Sequence, residues 1–142
     1  MKKFLNNVVF YVLSFTWGAV MSLIGLVAVL ILWITGHKPQ LFHGLVYVEV
    51  GHNWGGLDLG CFSIVCEEFD YNLLAHEAGH AIQNIIFGPL FPLVIAIPSA
   101  IRYWYRRIKY DMQNKKAPTA YDAIWFEGWA TDLGRKYFKK SN

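Results

Sequence analysis

The stretch Leu73-Leu74-Ala75-His76-Glu77-Ala78-Gly79-His80-Ala81-Ile82-Gln83-Asn84-Ile85-Ile86-Phe87 reads as one helix and holds the chain's most concentrated chemistry. Asp70 or Asn72 can cap its start, and Gly88-Pro89 closes it as a C-cap followed by proline. Inside it, His76-Glu77-Ala78-Gly79-His80 is an HExxH motif. Residues four apart lie one turn apart on the same helix face, so both imidazoles can reach a single ion. Zinc takes neutral imidazole readily and is the expected metal. Glu77 stands about 100° further round the helix. From there its carboxylate can accept a proton from a water that the metal activates, the role of a general base.

A catalytic zinc site needs a third protein ligand and an open position. Ile86 stands where the third histidine of an extended motif would fall, and His37, His43 and His52 all precede the helix. His52 could serve as a ligand but reads better as a polar loop residue. Glu127 is the stronger candidate. It lies 47 residues after His80 in Trp125-Phe126-Glu127-Gly128-Trp129-Ala130-Thr131-Asp132, on the last expected helix and among apolar aromatic neighbours. A carboxylate in such surroundings needs a partner, and a cation supplies one.

HEAGH followed by a glutamate on a later helix resembles the gluzincin metallopeptidases, including their small single-domain minigluzincin branch. The segment His76 to Leu93, with the Glu-x-Trp-Ala segment, is also similar to small bacterial membrane proteins carrying this motif. The resemblance implies zinc held by His76, His80 and Glu127, with Glu77 as the base and a peptide or protein as substrate. It also implies a substrate-binding edge strand somewhere in Leu57 to Val65. The family often has an aspartate four residues after the glutamate, hydrogen-bonded to a ligand histidine. Here that position is Thr131, and Asp132 is one step further round.

Upstream of the motif helix, Leu45 to Val50 is short and rich in β-branched residues, as a strand should be. Gly51 to Gly56 is turn-like and Leu57 to Val65 resumes a strand pattern, which predicts a hairpin with a long loop. Further back, Val8 to Ile34 is a run of 27 nearly all apolar residues, and no charged residue or histidine occurs between Phe4 and Gly36. A bilayer core needs about 20 residues of helix, so a single N-terminal transmembrane helix is expected. A signal peptide has an apolar region of roughly 7–15 residues and a small-x-small cleavage site, neither of which fits. The side of the membrane stays open: Lys2 and Lys3 favour one orientation and the later basic residues the other.

Downstream, Leu90 to Ile101 is apolar but interrupted by Pro92 and Pro98, too short to span alone, so it reads as a re-entrant, interfacial or core segment. Thr119-x-x-Asp122 resembles a capping box opening a last helix to about Phe138. Charge is segregated. The stretch between Lys38 and Arg102 holds six acidic residues and no Lys or Arg, while ten Lys and Arg follow from Arg102 onward. Basic and aromatic residues beside an apolar segment suit anionic lipid headgroups, and Arg102 to Arg107 reads as a membrane-interface belt, not a nucleic-acid surface. Cys61 and Cys66 are spaced against a mutual disulfide and read as small buried hydrophobes.

The expected fold is α+β: an N-terminal transmembrane helix, a β-hairpin or small sheet, then the HExxH helix and a later helix carrying the third ligand. A membrane anchor is expected over residues 1–38 and a metallopeptidase-like domain over 39–142. The expected function is a membrane-anchored, zinc-dependent peptidase in the bacterial cell membrane. The alternative is a non-catalytic, membrane-anchored binding protein with a structural or degenerate zinc site.

Overall fold

The computed structural model describes residues 7–138; Lys2 and Lys3, the basic start of the expected anchor, lie outside them. It is a mixed α+β structure with a four-stranded sheet and five α-helices. Helices α1 (Asn7–Phe15) and α2 (Ala19–Ile34) come first. Strands β1 (Gln40–Phe42), β2 (Leu45–Glu49), β3 (Gly56–Leu59) and β4 (Phe62–Val65) follow. The motif helix α3 (Tyr71–Phe87), then α4 (Ile97–Lys109) and α5 (Trp125–Tyr137), complete the chain.

The expected single transmembrane helix is broken. Among the described residues no single helix is long and apolar enough to cross a membrane. The apolar run bends by 100° between α1 and α2 at Thr16-Trp17-Gly18. Helix α3 holds the bend from outside: the Asn84 side-chain amide donates to the Gly18 carbonyl at 3.2 Å, and the Trp17 indole to the Ile86 carbonyl at 3.3 Å. The Gly18 carbonyl also accepts from the Ser22 N–H at 3.3 Å, so the Asn84 contact adds to the first turn of α2. Phe10 of α1 and Val29 of α2 pack in one core with Val48, Val65 and Leu74, and Met21 joins a second with Phe91 and Ile95.

The expected small sheet is present, but Leu45 to Val50 and Leu57 to Val65 do not pair as a hairpin. Leu57 to Val65 is not one strand: it turns at Gly60, whose φ of +71° favours glycine, and doubles back as β3 and β4. Strand β2 therefore pairs with β4 in parallel, β1 pairs with β2 antiparallel, and the order is β1-β2-β4-β3. This leaves β3 at an edge beside α3.

Asp70 caps α3, its carboxylate accepting from the Leu73 N–H at 2.8 Å. After Gly88 the chain bends by 118° into the next helical segment. Pro98 has no N–H to offer the carbonyl four residues back, and the preceding turn, Pro92–Ala96, is a wide π-turn. The expected capping box does not form. Thr119 and Asp122 precede α5, which starts at Trp125 with no side-chain cap, after a short 3-10 turn over Tyr121–Ala123. Cys61 and Cys66 are buried free thiols, and burial pushes the Cys61 thiol up to about 12, which makes it unreactive.

Candidate metal centre

Helices α3 and α5 meet backbone to backbone. A Cβ on Gly79 would strike the Ala130 carbonyl, and one on Gly134 the Ala75 carbonyl. Two glycine notches, one on each helix, let the axes approach closely enough for short side chains to bridge them.

His76, His80 and Glu127 converge in that seam, with one potential ligand atom of each within 4.8 Å of the others. His76 Nε2 and His80 Nε2 each lie 3.0 Å from the same Glu127 oxygen, Oε2. Glu127 is 0% exposed, so its charge is compensated inside the protein. Burial alone would raise its carboxyl pKa, but hydrogen bonds to His76 and His80 hold it well below the usual carboxylate range. For His80, burial would lower the pKa, yet the hydrogen bond to Glu127 keeps it raised.

The hydrogen bonds around the seam define what the centre can hold. The Gln83 amide donates to the Phe126 carbonyl at 2.8 Å, which turns its Oε1 toward His80 Nδ1 at 2.7 Å. An amide oxygen only accepts, so His80 Nδ1 carries the proton. In neutral His80, Nε2 is then a lone-pair acceptor facing a carboxylate oxygen, another acceptor. Such a pair is stable only with a cation between the two atoms, a proton or a metal ion. Two imidazole nitrogens and a carboxylate with fixed outer partners are a donor set that fits a divalent transition-metal ion.

At the position where the resembled family often has an aspartate, Thr131 supports a ligand: its hydroxyl is 2.9 Å from His76 Nδ1. Asp132 is exposed and takes no part. His52 stays outside the group, ion-paired with Glu67 and Glu68 at 3.3 and 2.6 Å.

Three contributors were not foreseen. Gln83 follows His80 by three residues on the same helix face, a signal that was available. Ser99 of α4 hydrogen-bonds Glu127 Oε1, and the Tyr121 hydroxyl lies 3.4 Å from that oxygen. Neither carries a mark in the sequence, because only the fold of α4 and the 119–124 turn brings them there.

Glu77 lies beside the three, almost fully buried, with Gly56 of β3 packed against it: a Cβ there would be 2.6 Å from Glu77 Oε1. Burial raises its carboxyl pKa and the neighbouring Glu127 adds to this, while His76 and His80 oppose them. A raised carboxyl takes and releases a proton nearer neutral pH, as a general base requires. The centre opens into a cleft of about 900 Å³ lined by β3, α3, α4 and the 121–122 turn.

Comparison with protein-family models, curated proteins and solved structures finds no match for this chain.

Proposed function

We propose that the protein is a zinc-dependent peptidase acting at a membrane. The reading is carried by one observation: two HExxH imidazoles and a fully buried glutamate from another helix share a single focus, with an acidic general-base candidate beside it in an open cleft. His76 Nε2, His80 Nε2 and Glu127 Oε2 would hold the metal. When bound, zinc supplies a Lewis acid and lowers the pKa of water toward about 7.

The remaining work falls to the chain's own residues. Glu77 accepts a proton from water at its carboxylate and passes it to the leaving amine. Thr131 and Gln83 hold the two imidazoles by Nδ1, fixing their orientation. Among the described residues no strand pairs with the outer edge of β3, and its N–H and C=O groups there can pair with an extended peptide and lay it across the cleft. Gly56 keeps the strand close to Glu77, since any side chain there would displace the carboxylate.

Membrane association is supported by exposed apolar faces that no described residue covers. Val20, Leu23, Ile24, Val27 and Ile31 of α2 are exposed, as are Ile97, Ile101, Trp104 and Ile108 of α4, which fall on one helix face. Lys109, exposed on the same helix, suits anionic headgroups of a bacterial cell membrane.

The test is Glu77→Gln in the full chain. The substitution keeps shape and ligands, so zinc stays bound while peptide cleavage falls by about 10²–10⁴-fold. Unchanged cleavage contradicts the assignment of the base. A wild type that binds zinc but cleaves nothing favours the non-catalytic reading.

A further inference from the structure

Asp58 is the one buried cleft carboxylate that the metal centre does not use. It is 7% exposed, and neither oxygen makes a hydrogen bond within ordinary limits. Burial and the neighbouring Glu77 carboxylate hold its carboxyl pKa well above the ordinary range, against a smaller opposing effect of the Gly60 N–H. It lies on β3 two residues from Gly56, so both face the same side, toward Glu77. The arginines of α4 are engaged elsewhere. Arg102 donates to the carbonyls of Ala120 and Tyr121, Arg106 to Thr119, and Arg107 to the Asn53 carbonyl and the Tyr103 hydroxyl. Among the described residues Asp58 has no ion-pair partner.

Met21, Phe91 and Ile95 line the same cleft and give it buried apolar walls. Apolar walls with a carboxyl that lacks a hydrogen-bond partner, beside Glu77, match a long side chain with a methylene stem and a cationic head. A cationic head would favour the charged form that burial and Glu77 oppose, whereas an apolar side chain would leave the carboxyl without a hydrogen-bond partner. We propose that Asp58 recognises arginine or lysine side chains, so that the cleft selects peptides carrying a basic residue beside the cleaved bond. This substrate class deepens the peptidase reading and rests on it. A peptide paired along β3 presents alternate side chains to the face that carries Asp58, which sets the register of the basic residue.

The pocket can be tested without cleavage. Calorimetric titration of the full chain in detergent, with n-pentylguanidinium and with neutral n-pentylurea, compares two ligands of one shape. The guanidinium should bind about tenfold tighter or more, and Asp58→Asn should abolish that preference. Equal binding by the wild type, or an unchanged preference in Asp58→Asn, overturns the proposal; the wild-type comparison stands even if the variant fails to fold. Digestion of a mixed peptide library separates the two claims. Cleavage enriched beside Arg or Lys supports the pocket, whereas cleavage without that enrichment overturns it and leaves the peptidase intact. Guanidinium preference with no cleavage of any peptide supports the pocket and contradicts the peptidase.

Discussion

At the residue scale, His76, Glu77 and His80 were legible because four-residue spacing on a helix fixes their relation locally. Glu127 was legible for a different reason, as a carboxylate among aromatic neighbours. Thr131 was noticed as a departure from a familiar pattern, and its hydroxyl reaches His76 directly. Thr131→Val preserves its shape and removes that contact. Metal affinity should fall about 10–100-fold in a competition titration with a chelator, with the fold retained. A second consequence concerns pH. In the metal-free protein, Glu127's lowered pKa contributes stability that is present above its ordinary 4.5 and lost as pH falls through the folded value. His80's raised pKa contributes stability that is present below 6.5 and lost as pH rises through its folded value. Denaturant midpoints of the metal-free chain should therefore fall as pH rises above 6.5, and added zinc should remove that loss by taking the proton's place. A metal-free profile that is flat across neutral pH contradicts the coupling of His80 to Glu127.

At the element scale, the motif helix and its Asp70 cap could be read directly, since capping and periodicity are local. Leu45 to Val50 and Leu57 to Val65 were read as strand but mispaired, and β1 (Gln40–Phe42) was not foreseen. Leu57 to Val65 has strand composition on both sides of Gly60, and composition does not reveal that the chain reverses there. The break at Trp17-Gly18 was missed because its cause, Asn84, lies 66 residues away. Gly79 reads in isolation as a weak point of the helix, less favourable than Ala by about 1 kcal/mol. In the fold it is what lets α5 bring Glu127 to the histidines. Gly79→Ala should destabilise the protein by about 1–3 kcal/mol despite the gain in helix propensity, and should weaken metal binding as well. Thermal unfolding with and without zinc checks both; a stabilised variant with unchanged metal affinity contradicts the role given to the notch.

At the scale of the whole molecule, the apolar composition is divided between the core and exposed faces of α1, α2 and α4. Helix α4 joins the two concerns. Ser99, Ala100, Tyr103 and Arg107 line the cleft, while Ile97, Ile101, Trp104 and Ile108 face outward. That arrangement puts the cleft beside the proposed lipid surface. Ile97→Glu with Ile101→Glu should weaken flotation with anionic vesicles and leave the zinc content unchanged; undiminished flotation assigns membrane contact to α1 and α2 alone. The central claim is that one metal ion joins α3 to α5 through His76, His80 and Glu127. Elemental analysis of the purified full chain tests it most directly. The account predicts about one equivalent of zinc in the wild type and in Glu77→Gln, and its loss in Glu127→Ala. A wild type without stoichiometric metal, or a Glu127→Ala protein that keeps it, contradicts the account.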